Sequence, residues 1–198
     1  MALFFKPKAI PAEIAAWYRG TELTPEKDWV THNLPHWLRI FPRYRDSVQN
    51  ILEIGSYEGR SAIFFLEYFP AAKLVSVDAN DGEVRRRLVA NLAKYAGRVE
   101  RHNERSTKAL FDLQQGSKRF DFIYIDGSHK RDQVMIDTLL AWPMLNVGGL
   151  MIWDDYDWPK GETLADRPKQ AIDSFLKFYR ASAKIVHHGY QVMATKTE

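Results

Sequence analysis

The stretch "NILEIGSYEGRSAIFFLEYF", Asn50 to Phe69, reads as a short apolar strand, a turn with glycines at positions 55 and 59, and a helix whose apolar residues recur at helical spacing. A strand that passes through a glycine turn directly into a helix opens a βαβ unit, and the rest of the chain repeats the alternation. Downstream, "KLVSVDA" (73–79), "RVERHN" (98–103), "FDFIYID" (120–126) and "GLMIWDD" (149–155) have the length and apolar content of strands. Between them, "DGEVRRRLVANLAKYA", "RSTKALFDLQQ" and "RDQVMIDTLLAWPML" carry apolar residues at helical spacing. The final run, "AKIVHHGYQVMATK", is two strand-like segments around His188-Gly189 and reads as a hairpin. The expected fold is α/β: a mostly parallel seven-stranded sheet with helices on both faces, closed by a C-terminal antiparallel hairpin.

A chain of 198 residues with 45% hydrophobic content suits one well-buried domain. The net charge of +3 comes from 28 Lys and Arg interleaved with 25 Asp and Glu, which gives no basic stripe for a nucleic-acid partner. No apolar run reaches the length of a membrane span, so a cytoplasmic protein without a membrane partner is expected. The absence of cysteine removes disulfides, thiolate metal sites and cysteine nucleophiles. Any metal must sit on oxygen or imidazole.

In open parallel sheets, ligands bind outside the carboxyl ends of the strands, near the point where strand order reverses. That places the chemistry just after Ile54, Val77, Ile125 and Trp153. After Ile54, the glycine turn lets the backbone approach a ligand, and the helix start offers free N–H groups. About 20 residues on, Asp78 ends the next strand, where a carboxylate can accept hydrogen bonds from a ribose diol. Asp126 ends the fourth strand and the adjacent acids Asp154 and Asp155 end the fifth. Adjacent carboxylates shielded from water take up protons or find a cation, and three from neighbouring strand ends could converge on one point. The plainer alternative is that these acids pair with nearby Lys or Arg.

Taken in order, "LEIGSYEGRS", "VSVDAND", "FDFIYIDGSH" and "LNVGGLMIWDDY" resemble the motifs of class I S-adenosylmethionine-dependent methyltransferases, over residues 50 to 195. The runs "IDGSH" and "GGLMIWDDY" are similar to the branch of metal-dependent O-methyltransferases that includes catechol-like and macrocin-type sugar enzymes. The resemblance implies a Rossmann-like methyltransferase domain over residues 1–198, with an N-terminal helical cover at 1–48 and a cofactor-binding core at 49–198. It implies S-adenosylmethionine contacts at Glu53, Gly55, Ser56, Tyr57, Gly59, Ser61, Asp78, Glu104, Ser106 and Asp126, with capping of the next helix an equal reading for Ser106. Asp126, Asp154 and Asp155 are the implied ligands of Mg2+ or another divalent cation. Tyr57 stands where many members have a glycine, and the catechol-like enzymes share that departure. Catalysis falls to His129 and Asp126: an imidazole stands where the catechol-like enzymes use a Lys to take the proton from the attacking hydroxyl.

The expected activity is methyl transfer to a hydroxyl of a small-molecule or glycan acceptor, and homodimerisation stays open. Two rivals remain at this point: a metal-independent enzyme acting on nitrogen or a peptide, and a non-catalytic nucleoside-binding module on the same fold. Trp29, His32 and Trp37 are expected near the pocket or in packing. Residues 153–168 read as a substrate lid carrying Tyr156 and Trp158. Arg85, Arg86 and Arg87 read as a solvated helix face.

Overall fold

The computed structural model describes residues 10–158, 163, 165 and 167–198. Its seven strands are β1 (Asn50–Ile54), β2 (Lys73–Val77), β3 (Val99–His102), β4 (Phe120–Ile125), β5 (Leu145–Trp153), β6 (Ala183–His188) and β7 (Val192–Lys196), arranged β3-β2-β1-β4-β5-β7-β6. The first five are parallel, while β7 runs antiparallel to both β5 and β6. The helices are α1 (Ala12–Trp17), α2 (Leu34–Ile40), α3 (Arg60–Tyr68), α4 (Gly82–Asn91), α5 (Ser106–Gln115), α6 (Arg131–Ala141) and α7 (Pro168–Phe178). The expected fold class is therefore observed. No helix among the described residues is long and apolar enough to cross a membrane.

Side chains alternate across a strand, so a sheet covered on both faces needs apolar residues at successive positions. Ile51, Phe122, Tyr124, Leu150, Ile152 and Met193 face one layer, built with α1 to α4. Leu52, Ile54, Ile123, Ile125, Met151 and Trp153 face the other, built with α5 to α7. The first layer is aromatic at its centre, where Trp37, Phe41, Phe64, Phe65 and Phe122 are fully buried. Each such ring contributes about 1.5–3 kcal/mol by leaving water, and truncating one to Ala costs about 3–5 kcal/mol.

Strand order reverses between β1 and β4, and the two chains leave the sheet in close contact there. Gly55 N–H donates to the Val77 carbonyl and Asp126 N–H to the Ile54 carbonyl, each at 2.8 Å. A Cβ on Gly55 would lie 2.1 Å from the Asp126 carbonyl oxygen, so glycine is required by packing as well as by its φ of 91°.

Two elements differ from the sequence reading. β5 begins at Leu145 rather than Gly149; Gly148 and Gly149 lie inside a strand whose pairing with β4 shifts register between Phe120 and Phe122. The helix α7, which lies in a segment with no element assigned from sequence, buries Ala171, Ile172 and Phe175 against the second layer.

Candidate active site

A cavity of about 500 Å³ opens at the carboxyl ends of β1, β4 and β5, with Gly55, Asp78, Asp126, His129, Asp154 and Asp155 in its wall. A second cleft of about 490 Å³ shares Gly55, Asp78, Asn80 and Gly127 with it and extends to Glu104, Ser106 and Gln133. Together they form a trough across the switch point.

The turn after β1 is held open by three left-handed residues, Gly55, Tyr57 and Gly59. Tyr57 pays a steric cost there that glycine would not, and its N–H is fixed by Asp78 Oδ2 at 2.7 Å. Asp78 Oδ1 accepts the Asn80 N–H at 2.7 Å. Each carboxylate oxygen keeps a further lone pair for a ligand. Ser56, Tyr57 and Ser61 line a pocket beside the turn.

Not every residue expected at the cofactor reaches the trough. Gly59 faces α4, where an added Cβ would lie 3.1 Å from Leu88 Cδ1. Glu53 is fully buried beneath the turn, with Oε2 accepting from Ser56 Oγ at 2.5 Å and Oε1 without a hydrogen-bond partner. Burial pushes its carboxyl up to about 7. Ser106 and Glu104 do line the trough; Ser106 does not cap α5, and its hydroxyl accepts from Gln133 Nε2 at 3.2 Å. Glu104 is paired with Lys108 at 2.9 Å.

Of the three strand-end carboxylates expected to converge, Asp126 and Asp155 meet, with His129 rather than Asp154 as the third member of the group. Ligand atoms of Asp126, His129 and Asp155 lie within 4.8 Å of one another. His129 Nε2 is 2.7 Å from Asp155 Oδ2, and the imidazole stacks on Trp158 with ring centres 4.4 Å apart. The hydrogen bond that the imidazole donates to Asp155 raises the His129 pKa. Asp155 also accepts from the Tyr190 hydroxyl, and its backbone is left-handed with φ 57°. Asp154 turns inward: Oδ2 accepts from Tyr124 Oη, Gln191 Nε2 (2.9 Å) and Asn33 Nδ2 (3.4 Å), while Oδ1 accepts the Asp155 N–H at 2.8 Å. Burial, reinforced by the neighbouring carboxylates, drives the Asp126 pKa well above the ordinary range. Burial and Asp155 push Asp154 up to about 6.

This cluster fits a divalent cation. Asp126 and Asp155 offer the carboxylate oxygens a hard cation takes, their ligand atoms lie within 4.8 Å of one another, and the repulsion between them is what a cation relieves.

The N-terminal segment forms one wall. Trp29 and His32 line the cavity, and Trp29 packs on Tyr57 with ring centres 5.1 Å apart. Trp37 does not reach it; it is fully buried and donates to Gln191 Oε1 at 2.7 Å. Glu58 anchors this wall by accepting from Thr24 N–H and Thr24 Oγ1, each at 2.7 Å. Arg87 joins the same knot, 3.1 Å from Glu58 Oε1, and so is an anchor rather than part of a solvated face. Of the expected lid, Trp158 lines the cavity, but Tyr156 is buried in the second layer with its hydroxyl donating to Asp173 Oδ1 at 2.8 Å; residues 159–162, 164 and 166 lie outside the described residues.

Tyr124, Tyr190, Gln191 and Asn33 are site residues that sequence reasoning missed. The only local signal was Tyr190-Gln191 in the hairpin facing the acids.

A seven-stranded sheet of this order, with a glycine turn, a strand-end acid and a carboxylate cluster at its switch point, defines a Rossmann-like class I methyltransferase fold. The chain belongs to the methyltransferase-domain family, whose profile matches residues 52–156. Among solved structures, MycE methyltransferase from the mycinamycin biosynthetic pathway, in complex with Mg, SAH and mycinamycin VI, aligns with TM-score 0.69 and 20% identity over 94% of this chain and 53% of its own. The chain thus spans about half the length of MycE. The O-methyltransferase TomG from Streptomyces achromogenes, in complex with SAM, aligns with TM-score 0.70 and 18% identity over 98% of this chain and 93% of its own. An O-methyltransferase from Bacillus cereus, in complex with SAH, aligns with TM-score 0.65 and 20% identity over 93% and 87%. No curated protein matches the chain by sequence.

Proposed function

We propose that the protein is an S-adenosylmethionine-dependent O-methyltransferase that methylates a hydroxyl of a small molecule or sugar with the help of a divalent cation. The observation that carries this reading is the meeting of Asp126, His129 and Asp155 at the same strand ends as the Gly55 turn and Asp78. Family membership and the solved structures bound to SAM or SAH support the cofactor.

In this reading the turn at Gly55 to Tyr57 cradles the methionine end, Asp78 accepts from the ribose hydroxyls, and Glu104 and Ser106 border the adenine. When bound, S-adenosylmethionine supplies an electrophilic methyl group on a sulfonium. Asp126, Asp155 and the adjacent Asp154 would hold the cation, which would lower the pKa of an acceptor hydroxyl. His129 takes the acceptor proton. A carboxylate can only accept, so the neutral imidazole donates Nε2–H to Asp155 and keeps its lone pair on Nδ1. Trp158 and Asp155 together restrict the ring. Trp29, His32, Trp158 and Tyr190 offer flat apolar faces to an acceptor ring.

The His129–Asp155 pair also supports a second reading, in which it works as a base dyad without a cation. Methyl transfer to hydroxyl-bearing acceptors, measured with and without EDTA, separates the two. Full activity in excess chelator excludes the cation, and no turnover with any hydroxyl acceptor despite tight cofactor binding points to the non-catalytic rival.

A further inference from the structure

A buried chain of hydrogen bonds leads from α2 to the carboxylate cluster. Trp37 Nε1 donates to Gln191 Oε1 at 2.7 Å, and Gln191 Nε2 donates to Asp154 Oδ2 at 2.9 Å. Trp37, Gln191 and Tyr124 are each at most 1% exposed, so no water competes for these bonds. The indole N–H can only donate, so it must meet the oxygen of the Gln191 amide. That choice turns the amide nitrogen toward Asp154. Tyr124 and Asn33 also donate to Oδ2, and Oδ1 accepts the Asp155 N–H, so the Asp154 carboxylate is held fixed next to the Asp126–His129–Asp155 group.

We propose that Gln191, itself locked by Trp37, is a positioning residue that holds the Asp154 carboxylate beside the Asp126–His129–Asp155 group and so sets the cation affinity of the cluster. The inference rests on the cation reading given under Proposed function. A side chain that orients a ligating carboxylate changes metal affinity or activity by about 10- to 100-fold when removed. The same loop positions Tyr190, whose hydroxyl meets Asp155. One short hairpin turn therefore holds two of the three acids.

The test uses Mn2+ alone as the probe, followed through the electron paramagnetic resonance of the free ion, with S-adenosylhomocysteine affinity measured in parallel by calorimetry. Gln191→Leu removes the donor to Asp154, and Trp37→Phe keeps most of the ring but removes the lock on the amide. The expected result is a loss of Mn2+ affinity of about tenfold or more in Gln191→Leu and a smaller loss in Trp37→Phe, with S-adenosylhomocysteine affinity unchanged. If Gln191→Leu does not fold, a Trp37→Phe loss of at least threefold, with cofactor affinity kept, decides for the proposal. Mn2+ affinities within threefold of the parent overturn it, as does an equal fall in affinity for both ligands, which marks a packing role. A parent protein that binds no Mn2+ refutes the cation reading itself, and the inference with it.

Discussion

His129 Nε2 stands 2.7 Å from Asp155 Oδ2, so the imidazole leans on one of the acids that would hold a cation. His129→Ala should lower methyl transfer at neutral pH by about 10²- to 10⁴-fold, the usual scale for a general base. S-adenosylhomocysteine affinity should stay as in the parent, because the proposed cofactor contacts lie after β1, β2 and β3. Unaltered turnover in the variant would remove His129 from the mechanism.

Mg2+ should stabilise the protein by mass action, about 2.7 kcal/mol at a hundredfold excess over its Kd. For a domain of this size that is a rise in Tm of about 5–10 °C. Asp155→Asn and Asp154→Asn should each lose most of the rise while binding S-adenosylhomocysteine normally. A parent Tm indifferent to Mg2+ and to EDTA would count against the cation.

Beside its proposed contact with the ribose, Asp78 fixes the left-handed Tyr57 through the bond to its N–H, which was not visible from sequence. Asp78→Ala should weaken cofactor binding by about 1.5–3 kcal/mol, the range for a hydrogen bond to a charged group. It should also lower Tm in the absence of cofactor. Calorimetry and thermal unfolding on one sample measure both, and an unchanged Kd would exclude the ribose role.

Glu53 gives a prediction about pH. Its folded pKa of about 7 lies above its unfolded value of 4.5, so the folded state binds the proton more tightly. The resulting stability is complete below pH 4.5 and is lost as pH rises through 7. Glu53→Gln resembles the protonated form and should be less sensitive to pH over this interval. Its Tm relative to the parent should therefore rise between pH 5 and pH 8. A difference that stays constant over that range would show that Glu53 is ionised in the folded protein.

The sheet was legible because parallel strands covered on both faces must be continuous apolar runs, as Ile51 to Ile54 and Phe122 to Ile125 are, with only Glu53 interrupting. The start of β5 was not legible. Gly148-Gly149 has the composition of a turn, and only the irregular pairing with β4 shows it to be strand. At the site, Gly55, Asp78, Asp126 and Asp155 could be found because topology places strand ends together. The bond between Gln191 and Trp37 could not, because 154 residues separate them and it exists only once the hairpin has docked on α2. Gly59 misled for a related reason: the turn needs its left-handed backbone, but its missing Cβ serves packing against Leu88.

The order β5-β7-β6 has a consequence for how the chain acquires its shape. β6 is synthesised before β7 but lies outside it, so it has no strand to pair with until β7 has been made and inserted against β5. Until then the open edge of β5, with Leu150 to Trp153 along it, is a bare hydrogen-bonding template able to recruit a foreign strand. Aggregation during synthesis or refolding should therefore begin at this edge, and substitutions that weaken β7 should reduce the yield of soluble protein more than they lower the stability of molecules already folded.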